Sequence, residues 1–148
     1  MVCSIKVADC LPIYFINNFS KTIGLVHAGW RGLSLGIIKR YIDKVRIKNE
    51  SAADNYVLIG PSIKNCCFRI QRDVIDHFDS KFYSKISDKH YQVDLQGWAV
   101  NQIMNLDIEK DKIFVSDKCT YCSKRLYDSF RRDGDAAGRM YALLGWIK

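Results

Sequence analysis

The sequence predicts a single α+β domain of layered α/β type, and three observations carry that prediction. The chain has 148 residues, 48% of them hydrophobic and 26% charged, the size and balance of one domain with a buried core. Short apolar runs of strand length are interspersed with segments of helical period. The two kinds do not alternate strictly, which argues against a doubly wound parallel sheet.

Residues 4–8, 13–16 and 22–27 read as short strands, the last two joined through the polar turn Asn17-Asn18-Phe19-Ser20-Lys21 into a hairpin. Past Gly29-Trp30-Arg31-Gly32 the period changes. Leu33, Ile37, Tyr41 and Val45 recur every four residues, Ile38 and Ile42 widen the stripe, and Lys39, Arg40, Asp43 and Lys44 lie off it. That spacing predicts one amphipathic helix. Residues 49–55 form a polar loop, Tyr56-Val57-Leu58-Ile59 a buried strand, and Gly60-Pro61-Ser62 its sharp end. Residues 66–70 resume an extended path and residues 73–78 form a short helix. A longer helix over 96–106 packs Ala99, Val100, Ile103, Met104 and Leu106; residues 112–116 and 139–147 return to strand.

Lysine and arginine number 23 against 16 aspartates and glutamates, a formal charge of +7. Such a balance favours anionic partners. The cations are scattered, however, with small groups at Lys39-Arg40, Lys44-Arg46-Lys48 and Arg131-Arg132, so they read as solvated faces and no nucleic-acid partner is expected. No apolar stretch approaches the roughly 20 residues of a membrane span, so no membrane partner is expected. Six cysteines without a secretory leader predict reduced thiols and a cytoplasmic setting.

Two motifs carry the chemistry. Ala8-Asp9-Cys10-Leu11-Pro12 and Val26-His27-Ala28-Gly29-Trp30-Arg31-Gly32 set a thiol and an imidazole at the ends of neighbouring strands, a donor pair suited to zinc or copper. The plainer reading is a buried cysteine and a histidine bonded to backbone. Arg31, between two glycines, adds a guanidinium that can face an anion beside the pair. Cys119-Thr-Tyr-Cys122 has CxxC spacing but no second CxxC, so a packing or site-wall role ranks ahead of a zinc or redox role. Cys66 and Cys67 are adjacent and would point apart in an extended segment, which makes joint binding by both improbable. His77 and His90 lack ligand partners at helical spacing. Arg131, Arg132 and Arg139 surround a glycine-rich turn, read either as an anion site or as a salt-bridged turn with Asp133 and Asp135.

Taken in order, ADCLP, HAGWRGL, IGPSI-x-x-CCF, CTYC and SFRRDG-x-x-x-GRM strongly resemble the YfiH-like family. Its members were first called multicopper polyphenol oxidases or laccase-domain proteins and later zinc-dependent purine nucleoside enzymes. The resemblance covers residues 2–146 and implies an αββα-type sandwich with mixed sheets. It implies a metal centre of one cysteine and two histidines, in which Cys10 and His27 match two ligands. The remaining family histidine lies in a Gln-Val-His segment upstream of ADC. The sequence therefore reads as a single YfiH-like domain over 1–148 that lacks the family's N-terminal portion.

The resemblance further implies phosphorolysis of adenosine, inosine, guanosine and methylthioadenosine, with adenosine deamination, so purine nucleoside and phosphate are the expected partners and zinc the expected cofactor, with copper as the alternative. Cys10, His27 and Arg31 are the catalytic candidates. Arg31 is the first candidate for holding phosphate, on physical grounds, with Arg131, Arg132 and Arg139 behind it. A non-catalytic interaction module and a copper-dependent polyphenol oxidase are the competing readings. Missing strands would leave a sheet edge or apolar patch uncovered, a route to a homo-oligomer.

Overall fold

The computed structural model describes residues 2–46 and 51–147; Lys48 and the first two residues of the loop expected at 49–55 lie outside them. The architecture is α+β. A four-stranded mixed sheet is built from β2 (Leu11–Asn17), β3 (Thr22–Ala28), β4 (Asn55–Ile59) and β8 (Ile113–Val115), in the order β3-β2-β4-β8. The first two contacts are antiparallel and the β4–β8 contact is parallel. Strands β1 (Val2–Val7) and β9 (Met140–Gly145) form a separate antiparallel ribbon, and β5 (Arg69–Gln71), β7 (His90–Val93) and β6 (Tyr83–Lys85) form a three-stranded sheet in that spatial order.

The β2–β3 hairpin has a local cause. Asn17 Oδ1 accepts the N–H groups of Phe19 and Ser20, each at 3.0 Å, an Asx-type turn that sets the register. On β2, Leu11, Ile13 and Phe15 are fully buried. They share one core with Val57 and Ile59 of β4, with Ile38 and Ile42 of α2 (Ile37–Arg46), and with Ala99 and Ile103 of α4 (Leu95–Met104). Each of the large aliphatic side chains contributes about 1.5–3 kcal/mol by leaving water.

The single helix expected after Gly32 is two. α1 (Trp30–Ser34) closes with Gly36 N–H bonding the Leu33 carbonyl at 3.0 Å, and Gly36 itself takes φ of +71°. Only glycine enters that left-handed conformation without steric cost. When α2 starts, its buried stripe has shifted to Ile38, Ile42 and Val45, leaving Ile37 and Tyr41 half-buried at the margin. The helix expected over 73–78 is the four-residue α3 (Arg72–Ile75), and the β6–β7 hairpin occupies a stretch that carried no strand prediction. α5 (Phe130–Asp133) is one short turn, capped by Ser129 Oγ accepting from Arg132 N–H.

Along the β1–β9 ribbon, Val2, Tyr141 and Leu143 are each at least 60% exposed, so this ribbon carries an apolar face open to solvent. Among the described residues, no helix is long and apolar enough to cross a membrane.

Candidate functional site

The hairpin register pairs Pro12 with His27 and Leu11 with Ala28. The next step brings Cys10 beside Gly29, where a Cβ on Gly29 would lie 2.9 Å from Cys10 Sγ. Cys10 and Gly29 lie just past the ends of β2 and β3, so Cys10 and His27 stand at the same end of the hairpin. His27 is exposed and Cys10 half-buried. Even so, partial desolvation of the ring lowers the basicity of His27, which favours the neutral imidazole that binds metals. Burial, reinforced by the Asp9 carboxylate, pushes the Cys10 thiol up.

Asp9 is fixed by the fold. It is buried, has φ of +86°, and offers its carbonyl to Ile63 N–H at 2.9 Å. Its carboxylate accepts Thr120 Oγ1 at 2.7 Å and the Arg131 backbone N–H at 2.6 Å. Thr120 lies inside the CTYC turn, and its own N–H bonds Ser62 O at 3.2 Å, while Ser62 Oγ accepts Gln96 Nε2 at 2.9 Å. The ADC segment, the GPS turn, the CTYC turn and the start of α5 are thus one hydrogen-bonded unit.

In front of that unit runs a cleft of about 410 Å³ lined by Cys10, Gly29, Arg31, Phe68, Phe130 and Arg131, among others. It shares Trp30, Arg31 and Arg131 with a neighbouring cleft of about 400 Å³ that adds Arg69 and His90. The Arg31 guanidinium lies 4.6 Å from the Trp30 ring, which stands 5.6 Å from the His77 ring. Arg131 stacks on Phe68 at 5.3 Å and donates to the Arg69 carbonyl. Three guanidiniums and several aromatic faces therefore border one groove, a surface suited to an anion joined to a flat ring.

The other sequence candidates are placed differently. Arg132 directs its guanidinium away from the groove, to the carbonyls of Thr120, Tyr121 and Tyr127 at 2.9–3.0 Å and to Asp133 at 2.8 Å. Arg139 bonds the carbonyls of Ala137 and Gly138 and stacks on Phe130 at 5.5 Å. His90 begins β7 and its Nδ1 lies 3.2 Å from Ser87 Oγ. His27 lines a separate concavity with Arg40 and Tyr41 of α2.

The expectation for Cys66 and Cys67 is overturned. Residues 65–67 form a turn, closed by N–H groups of Cys67 and Phe68 that both bond the Lys64 carbonyl, at 3.0 and 2.9 Å. Adjacent side chains diverge in an extended strand but not in a turn, and here both reach Cys122. The thiol of Cys119 joins them. Burial pushes Cys119 up, but N–H groups of Lys64 and Cys122, with the Cys122 and Cys66 thiols, outweigh it and bring Cys119 down to about 7. The polar Lys64-Asn65 pair before the cysteines was the available turn signal.

The α+β fold, with an arginine-lined groove that Cys10 borders, meets its class in a match over nearly the whole chain: the chain belongs to the multi-copper polyphenol oxidoreductase laccase family, which matches residues 1–147. Among relatives, it is 34% identical over 146 residues to the purine nucleoside phosphorylase YlmD of Geobacillus stearothermophilus, covering 93% of this chain and 53% of that protein. It is 30% identical over 152 residues to the purine nucleoside phosphorylase YfiH of Escherichia coli, covering 99% and 59%. The chain thus spans somewhat over half the length of the curated relatives it matches. The crystal structure of YlmD from G. stearothermophilus superposes with a TM-score of 0.94 at 31% identity, covering 100% of this chain and 58% of that one. The crystal structure of Bacillus licheniformis YfiH gives 0.91 at 31% identity, covering 96% and 56%.

Proposed function

We propose that this chain carries the nucleoside- and phosphate-binding part of a purine nucleoside phosphorylase that also deaminates adenosine. The observation that carries the reading is the sharing of one cleft by Cys10, Arg31 and Arg131; the names of the YlmD and YfiH relatives support it. In phosphorolysis a phosphate oxygen bonds C1′ of the ribose, and the bond to the purine breaks with its electron pair leaving on the base, which takes up a proton. Arg31 and Arg131 hold the phosphate and offset its charge. Trp30 and Phe68 give the purine an aromatic wall.

The residues present fit a zinc ion in part. Cys10 and His27 would offer a thiolate and a neutral imidazole from one end of the hairpin, while the Asp9 carboxylate is already consumed by Thr120 and Arg131. Cys10 and His27 would hold the ion, and a histidine from the Gln-Val-His segment of the resemblance would complete it; copper is the alternative metal. Bound zinc supplies Lewis acidity and an activated water, the chemistry that deamination at purine C6 needs. Gly29 leaves room for the Cys10 sulfur, and Arg31 keeps the phosphate beside it.

The test compares this chain with one extended upstream to include a Gln-Val-His segment, both loaded with zinc. Phosphate-dependent release of purine base from inosine and ammonia from adenosine by the extended protein, reduced by Arg31→Met, supports the reading. Absence of base release from the extended, zinc-loaded protein overturns it.

A further inference from the structure

We propose that Cys66, Cys67, Cys119 and Cys122 form a second metal centre, a tetrathiolate site for zinc or another divalent ion of that class, which clamps two turns together behind Asp9. This inference stands apart from the reading of Cys10 and His27 and does not depend on it.

The first argument is geometric. A zinc–thiolate bond of about 2.3 Å in a tetrahedron separates each pair of sulfurs by about 3.8 Å. Here Cys66 and Cys122 Sγ lie 3.8 Å apart and Cys67 and Cys122 Sγ 3.3 Å apart, with all four sulfurs within 4.8 Å of one another. These spacings bracket a tetrahedral edge and are far from the roughly 2.05 Å of a disulfide. Two sulfurs also converge on one Cys122, an arrangement that a disulfide cannot satisfy for both.

The second argument is construction. The four thiols come from two turns, with Cys67 and Cys122 55 residues apart. The turns are already held in place: Ser62 pairs with Cys119 in a parallel bridge, and Lys64 Nζ bonds the Asp117 carbonyl at 3.3 Å. Such a site is preformed, so binding pays little ordering cost. Cys66 and Cys122 are exposed while Cys119 is buried, which gives the ion an entry path on one side and a fixed ligand on the other.

The third argument is charge. A divalent ion with four thiolates carries a net charge of −2. Arg69 and Arg131 line the cleft that contains Cys66 and Cys67, so the complex has cations beside it. Arg131 is also bound through its N–H to Asp9, and the metal-held turn carries Thr120. Loss of the ion would loosen the support of Asp9 without touching Cys10.

Cobalt(II) titration of the reduced full chain tests the proposal. The expected result is a sulfur-to-cobalt charge-transfer band and the intense visible bands of a tetrahedral ion, saturating with at least one equivalent. Zinc displaces the cobalt, and Cys10→Ser leaves this signature in place. Cys122→Ser should weaken cobalt binding at this site at least ten-fold and blue-shift the charge-transfer band. Titration of the unaltered chain needs no variant to fold. The proposal is overturned if the reduced, folded chain gives no thiolate band, if the band is lost in Cys10→Ser but kept in Cys122→Ser, or if mass analysis finds a Cys67–Cys122 disulfide that persists in reductant.

Discussion

Thr120 Oγ1 donates to Asp9 Oδ1 across 2.7 Å, joining two buried residues 111 positions apart in the chain. The bond matters because Asp9 holds φ of +86°, a conformation that costs a non-glycine residue free energy unless its surroundings enforce it. Thr120, Arg131 and Ile63 together enforce it, and Cys10 follows immediately.

Replacing Thr120 by Val removes the hydroxyl at nearly constant volume and leaves one carboxylate oxygen of Asp9 short of a partner. A hydrogen bond to a charged group is worth about 1.5–3 kcal/mol, so urea unfolding should show a loss of that size. Thr120→Ser should recover most of it. An unchanged midpoint for Thr120→Val would show that Asp9 is held by Arg131 and Ile63 alone.

Gly29→Ala separates the Cys10 site from the rest of the molecule. Gly29 has φ of −84° and ψ of 175°, which alanine adopts freely, yet the new Cβ would lie 2.9 Å from Cys10 Sγ. The sulfur must move by a few tenths of an ångström. Zinc affinity at Cys10 and His27 should fall roughly ten-fold, the scale of effect seen when a ligand's support is disturbed. Chelator competition in the Cys122→Ser background isolates this site, and equal affinities would refute the placement.

Arg31 and Arg132 should fail in different assays. Arg31 sits in the groove stacked on Trp30, so Arg31→Met should raise the KM for phosphate with little change in the thermal midpoint. Arg132 holds three carbonyls and Asp133, so Arg132→Met should lower the midpoint of thermal unfolding and leave the phosphate KM of the surviving folded protein close to normal. A reversed pattern would exchange their roles.

Gly24→Ala is a packing test. A Cβ there would meet the Tyr41 ring at 2.2 Å, and Tyr41 is held against Phe15 with ring centroids 4.3 Å apart. Overpacking of this kind costs about 1–3 kcal/mol, which chemical denaturation would read directly. Pairing it with Tyr41→Leu should relieve part of the loss, a coupling that a double-mutant cycle measures.

Much of the fold was legible because local pattern and tertiary role agree. The apolar run at 13–16 and the asparagine-led turn after it identify β2 and the hairpin, and Ala99 and Ile103 are core residues of α4 as their spacing implies. Hydrophobic spacing predicts one helix after Gly32 because the four-residue period continues across Gly36, whose left-handed conformation leaves no mark on it. The β6–β7 hairpin is not marked by apolar alternation: of its seven strand residues only Val93 is buried. At the site, Cys10 and His27 could be assigned to the same end of one hairpin, although they line different concavities. The Cys66, Cys67, Cys119 and Cys122 cluster could not, since it depends on a turn at 65–67 and on tertiary pairing of Ser62 with Cys119.

The pairing of β1 with β9, Val2 opposite Gly145, also sets an order of events during synthesis. A ribosome emits about 5–20 residues per second, so β1 waits several seconds or more for the strand that completes it. Asp9 waits nearly as long, because its two carboxylate partners are Thr120 and Arg131. A nascent chain released before residue 120 can form the β2–β3 hairpin yet lacks both partners of the Asp9 carboxylate. The groove is therefore assembled after translation of the scaffold, and a ribosome-stalled series that exposes Arg131 should mark the length at which protease resistance reaches the N-terminal segment.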